Sequence, residues 1–231
     1  MKTILTFTLM FILGLEFSTA QDTILYMNGK MALGKVQKTA NTTVYFIPDN
    51  KNTKIKKIDI EDLFSINYQN KSMVYYYAQD TAIGNNMNLD EMNTYVMGKN
   101  YARVNFKSPN STLGGIVTGA AGAFSFWGLA LPVTYALIVG SKNPRFEINE
   151  KMKQEIYSNP VIDFPTIAIE PGLSYDAKND REMKAPIFNE PLFQEGYNRA
   201  AKDKKVKNSL KGALVGFTAM IGTFVLISVG R

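Results

Sequence analysis

Two stretches without a charged side chain, residues 113–140 and 212–230, dominate the C-terminal half of this 231-residue chain. The same short pattern introduces each of them. Gly98, Asn100, Ala102, Lys107, Ser111, Gly114 and Val117 recur as Gly196, Asn198, Ala200, Lys205, Ser209, Gly212 and Val215, every pair 98 positions apart. About 20 apolar residues make a helix that matches the hydrocarbon thickness of a bilayer. A membrane protein with a duplicated helical unit is therefore expected.

Each unit reads as a helical lead-in, over 81–112 and 193–211, followed by a transmembrane helix, over 113–140 and 212–230. The first apolar stretch contains Gly128 and Pro132. One tilted, kinked span is expected there, in preference to a tight pair of half-helices that re-enter. Gly115 and Gly119, extended by Ala123, and Gly212 and Gly216 form small-xxx-small patterns. Lipid is as apolar as leucine, so helices adhere in it where small residues let backbones approach, and these positions are candidates for helix packing between the spans or between copies. Lys202, Lys204, Lys205, Lys207 and Lys211 crowd against the second span and are candidates for anionic lipid headgroups. Neither span holds an ionisable residue, so a pathway of buried charges is not indicated.

Residues 1–20 read as an export signal, with Lys2 before an apolar run and Ser18-Thr19-Ala20 before Gln21. The chain has no Cys, so neither a lipid-attachment cysteine nor a disulfide framework is available. Strand signals then fill residues 21–80. Thr23 to Met27, Met31 to Val36 and Thr43 to Ile47 are apolar runs, and Asn28-Gly29 between the first two predicts a tight two-residue hairpin. Ile58 and Ile60 share one side of a further strand, Glu61 to Phe64 predicts a helical turn, and Ser65 to Tyr68 with Met73 to Tyr77 completes the set. Strands this short and numerous imply a small antiparallel barrel or half-barrel of SH3-like size. Tyr75 and Tyr77 fall on one face of their strand, either covering a small core or offering a surface for a peptide or glycan partner.

The residue inventory narrows the chemistry. With no His and no Cys, the chain lacks the commonest general base, the thiolate nucleophile and the usual transition-metal ligands. Asp59, Glu61 and Asp62 form the densest acidic cluster, but they alternate with apolar residues as a solvated turn does. No catalytic residue, cofactor, metal or small-molecule substrate is expected. The formal charge of +6 belongs largely to the lysines beside the second span, so nucleic acid is not an expected partner. If the N-terminal domain is exported, the first span runs inward and the second returns, leaving the connector over 141–192, with most of the prolines, on the opposite side of the membrane from the β domain.

The layout resembles uncharacterised exported proteins of Bacteroidota that join a small β domain to two apolar segments. The residues carrying the resemblance are Asp22 to Val36 with Asn28-Gly29, Ile58 to Tyr68, Gly98-Lys99-Asn100-Tyr101-Ala102, and Gly196-Tyr197-Asn198-Arg199-Ala200 with Lys202 to Lys207. It brings no known activity. The expected fold is an α+β membrane protein, a small SH3-like β-barrel or half-barrel followed by two glycine-rich transmembrane helices that form a hairpin with a long connector. The expected role is a non-enzymatic envelope protein of the inner membrane, its periplasmic β domain binding a protein or cell-wall partner and its helical pair contacting lipid and self-associating. The competing expectation is a small oligomeric transport or pore component lined by Thr118, Ser125, Thr134 and Thr218.

Overall fold

A computed structural model describes residues 21–49, 54–69, 73–124, 128, 130–144, 146 and 186–229. The expected export signal and most of the proline-rich connector, including Pro160, Pro165 and Pro171, lie outside these residues. The protein is an α+β fold, an antiparallel N-terminal sheet followed by helices of which the last is long and apolar.

Six strands, β1 (Asp22–Tyr26), β2 (Met31–Thr39), β3 (Thr43–Pro48), β4 (Lys56–Asp59), β5 (Leu63–Asn67) and β6 (Met73–Tyr75), pair in the order β4-β3-β2-β1-β5-β6. Along β3 every second residue is buried, the period-2 alternation of a strand with one face on a core. Ile24, Val44, Phe46, Ile58, Leu63 and Ile66 meet in that core, drawn from β1, β3, β4 and β5. Each contributes roughly 1.5–3 kcal/mol by leaving water. The Asp22 carboxylate ties the layer together, accepting from the Val36 N–H at 2.7 Å and the Gln69 N–H at 2.8 Å.

Strand pairing among the described residues does not close the sheet: β4 and β6 are edges, and no ladder joins them. A barrel or half-barrel was expected, and the pairing shows an antiparallel sheet without closure into a barrel. Lys54, Lys56 and Lys57 line the β4 edge, and exposed lysines there discourage another strand from adding. The β1–β2 loop also differs from the two-residue turn. Gly29 N–H donates to the Tyr26 carbonyl at 2.8 Å and Tyr26 N–H to the Lys30 carbonyl at 2.9 Å, with Gly29 at φ 79°, the pattern of a longer turn ending in a left-handed glycine bulge.

Four helices follow: α1 (Leu89–Asn105), α2 (Pro109–Ala123), α3 (Ala130–Ser141) and α4 (Pro191–Val229). Asn88 and Glu91 close a capping box at the start of α1, each side chain accepting the other's backbone N–H. The chain breaks between α1 and α2 because Pro109 takes the first helical position of α2, where its missing N–H costs nothing. The equivalent residue of the second unit is Lys207, and α4 runs through it unbroken for 39 residues, about 58 Å at ~1.5 Å per residue.

Residues 113–140, expected as one kinked span, belong to two helices. Gly122 lies against Gly128 and Pro132, and Gly114 against Tyr135, whose hydroxyl donates to the Asn110 carbonyl at 3.3 Å. These contacts pair early α2 with late α3, so the two run antiparallel as a tight hairpin. Pro132 falls in the first turn of α3, where it starts a helix rather than kinking one.

The second correction concerns direction. Gly115 abuts the Ser209 backbone and Gly119 that of Ala213, while Gly212 abuts Thr112 and Gly216 abuts Ile116. Partner numbers rise together, so α2 and α4 run parallel, not antiparallel as two successive spans would. α3 supplies the reversal.

Candidate membrane interface

α4 is the one helix among the described residues long and apolar enough to cross a membrane, and only 17 % of its most apolar window is buried against the rest of the chain. Leu214, Val215, Phe224, Val225, Leu226 and Ile227 are exposed on α4, as are Leu113 and Val117 on α2 and Leu137 and Ile138 on α3. A contiguous apolar surface of this kind in water marks an interaction site or an aggregation liability. It contrasts with the lead-in half of α4, where Phe193, Tyr197, Ala200 and Ala201 are buried with Met97, Tyr101, Ala102 and Phe188. One helix therefore begins in a packed core and ends with most of its apolar side chains exposed.

The glycines picked out by spacing divide by role. Gly115, Gly119, Gly212 and Gly216 are buried, and a methyl group at any of them would strike a backbone carbonyl of the facing helix. All four are engaged between α2 and α4 within one chain, which leaves them unavailable to a second copy. Ala123 is half-buried at the end of α2.

The lysines divide as well. Lys204 Nζ donates to the Arg103 carbonyl at 2.7 Å, in the last turn of α1, and Lys205 Nζ to the Lys142 carbonyl at 3.1 Å, just beyond α3. Ammonium groups at helix C-termini satisfy carbonyls that have no intrahelical partner and offset the negative end of the dipole. Burial, with the Arg103 and Lys107 charges, lowers the Lys204 pKa below the ordinary lysine value. Burial, with Lys142 and Lys202, does the same to Lys205. These two ammonium groups hold helix ends. Lys207 and Lys211 are exposed and Lys202 is half-buried.

The tyrosine row is not a free surface. Tyr77 is buried against Phe64 and Val96, and its hydroxyl donates to the Met87 carbonyl at 2.6 Å. Tyr75 is half-buried with its ring edge-on to Phe64, centroids 5.5 Å apart. The reason is that α1 covers this face of the sheet with Met92 and Val96. Burial, with the Glu91 charge, raises the Tyr77 pKa above the ordinary phenol value.

A polar clasp that spacing did not reveal fixes the sheet to the helices. Lys99 Nζ donates to the Met27 carbonyl at 3.1 Å, Asn100 Nδ2 to Gly29 at 2.9 Å and Arg103 Nε to Asn28 at 2.7 Å. Three consecutive carbonyls at the hairpin tip thus meet three donors from one face of α1. Lys99 also lies over the Tyr95 ring at 4.2 Å, a cation–π contact. Gly29 is obligatory here twice over, since a Cβ would collide with the Lys99 and Asn100 backbone and the positive φ disfavours any other residue. The only hint in the sequence was that Asn100 belongs to the repeated pattern.

Asp59, Glu61 and Asp62 sit on a 3₁₀ turn, where the Asp59 carboxylate accepts from the Glu61 N–H at 3.3 Å. No group of His, Cys, Asp or Glu among the described residues is arranged to hold a metal ion. An open groove of ≈ 460 Å³ lies beside the lead-in half of α4, lined by Asn143, Gln194, Glu195, Asn198, Arg199 and Lys202 among others. No family model, curated protein or solved structure matches the chain.

Proposed function

We propose that the chain is a non-enzymatic membrane protein of a bacterial envelope, with the β domain held at the bilayer surface as a module for a protein or cell-wall partner. The exposed apolar half of α4, which continues without a break from a well-packed lead-in, carries this reading. The export-signal pattern of the first 20 residues supports a periplasmic β domain, and helical rather than barrel architecture supports the inner membrane. The absence of His and Cys supports a binding role over catalysis.

The clasp on Met27, Asn28 and Gly29 refines the role. A domain bound to its anchor by three donors is presented in a fixed pose, which suits a scaffold better than a tethered probe. Self-association through the repeat glycines loses its support, because those glycines face each other's helices inside one chain. The pore reading is weakened too: the Thr118 and Thr218 hydroxyls donate to carbonyls of their own helices. Alkaline carbonate extraction followed by flotation is the test. The full chain is expected to stay with the lipid, and its release as intact soluble protein would overturn the proposal.

A further inference from the structure

We infer that the chain crosses the bilayer once, through α4, while α2 and α3 enter as a re-entrant hairpin, so that the β domain and both described ends of the connector share one membrane face, which carries anionic phospholipid. The inference rests on the membrane reading above. It reverses the arrangement in which the connector lies across the membrane from the β domain.

Three chain segments meet α4 at one level. The end of α1 is there through Arg103 on Lys204, the start of α2 through Ser108 Oγ, which accepts from Asn208 Nδ2 at 2.9 Å, and the end of α3 through Lys142 on Lys205 and Gly140 on Val206. From that level onward, residues 109–141 contain no charged side chain, and 208–229 contain only Lys211. The boundary between charged and charge-free chain is therefore a plane across the molecule rather than a property of one helix. On this plane Lys107, Lys142, Lys207 and Lys211 are exposed. Apart from Asp203, one helical turn before Lys207, no Asp or Glu lies among residues 104–144 or 203–229. Four exposed ammonium groups around an apolar stem match a layer of phosphate headgroups over hydrocarbon, at roughly 1 kcal/mol of attraction per lysine near an anionic surface.

The lengths agree with a partial insertion. The 18 residues 212–229 of α4 rise about 27 Å, close to the ~30 Å of the hydrocarbon core, whereas the 15 residues of α2 rise about 22 Å. The Phe124 ring at the end of α2 packs edge-on against Phe224 with centroids 4.9 Å apart, one and a half turns short of the end of α4. α2 thus ends before α4 does. The sidedness of the hairpin does not depend on its depth, because α3 runs antiparallel to α2 and returns the chain to the plane it left.

The chain has no cysteine, so single-cysteine variants report sidedness without background. Lys35→Cys on the β domain, Lys107→Cys before α2, Lys142→Cys after α3 and Arg231→Cys beyond α4 are treated with a membrane-impermeant maleimide in spheroplasts, before and after lysis. The first three are expected to share one labelling pattern, with Arg231→Cys showing the opposite one. Opposite patterns for Lys107→Cys and Lys142→Cys would overturn the hairpin while leaving the membrane reading intact. Equal labelling of all four in a carbonate-soluble chain would instead remove the membrane reading, and the inference with it. In vesicles of phosphatidylcholine alone, spontaneous insertion is expected to fall at least tenfold relative to vesicles containing phosphatidylglycerol. Equal insertion into both would overturn the headgroup assignment.

Discussion

Gly98 of α1 rests on the backbone of Phe193 and Tyr197, and Gly196 of α4 rests on the backbone of Tyr95 and Lys99. Each contact maps onto the other by the repeat spacing of 98 residues. The two units therefore pack about an approximate twofold axis parallel to their helices, as two copies of a parallel dimer would, but within one chain.

That reciprocity gives a prediction of unusual sign. In an open helix, replacing glycine by alanine stabilises by about 1 kcal/mol. At Gly98 or Gly196 the added methyl meets a carbonyl oxygen, so each alanine variant is expected to lose roughly 1–3 kcal/mol by overpacking. Gly222, with nothing near its Cβ position, is the control and is expected to be neutral or stabilised. Thermal unfolding in detergent measures all three. A stabilised Gly98→Ala variant would contradict the close approach of α1 and α4.

The clasp predicts a separable β domain. Arg103→Ala removes a charged donor from the Asn28 carbonyl, a contact of the kind worth ~1.5–3 kcal/mol. Faster amide exchange over residues 26–30 and faster proteolysis between 78 and 88 are expected, with the secondary structure of both parts intact. Val104, exposed one residue along, should tolerate alanine without either change.

Tyr77 predicts an alkaline limit. Its folded pKa is raised by burial and by Glu91, so its contribution to stability is fully present below the ordinary phenol value of 10.0 and is lost as pH rises through the raised value. Lys99 works the other way: its pKa is lowered by burial and by Arg199, and the cost of its charge is relieved as pH rises toward 10.5. The difference between wild type and Tyr77→Phe isolates the phenol. The variant is expected to be about 1 kcal/mol less stable at neutral pH, where the Met87 carbonyl loses its donor, with the gap closing above pH ~10. A gap constant with pH, in denaturant titrations, would rule out this role.

Ser209 predicts a gain from removing a polar group. It is fully buried on α4 where Gly115 of α2 packs, and its hydroxyl has no hydrogen-bond partner among the described residues. Ser209→Ala is expected to leave stability unchanged or raise it by up to ~1 kcal/mol, while Ser209→Leu, which demands space, is expected to lower it. A loss on Ser209→Ala would mean that the hydroxyl is used after all.

Local signals were legible in the sequence and directional ones were not. The strand over Thr43 to Ile47, the turn at Asn28-Gly29 and the helical turn at Glu61 all depend on neighbours within a few positions, and each appears where the pattern placed it. The side of the sheet bearing Tyr75 and Tyr77 looked open because nothing in that strand announces Val96, which arrives from about 20 residues away. Gly115 and Gly119 announced a helix contact but not its polarity, since a small-xxx-small stripe fits a parallel and an antiparallel neighbour alike. Pro132 was ambiguous for a similar reason: a proline inside an apolar run marks a kink or a first turn, and only the contact of Gly122 with Gly128 separates the two.

The unbroken course of α4 has a mechanical consequence. With no proline between Phe193, buried in the core shared with α1, and Leu226, exposed near the far end, the helix forms one continuous rod. Over ~58 Å a change of 10° in its lean moves one end by roughly 10 Å relative to the other. If the apolar half of α4 lies in a bilayer as proposed, any such change of lean is passed to the β sheet through the three donors that hold the hairpin tip.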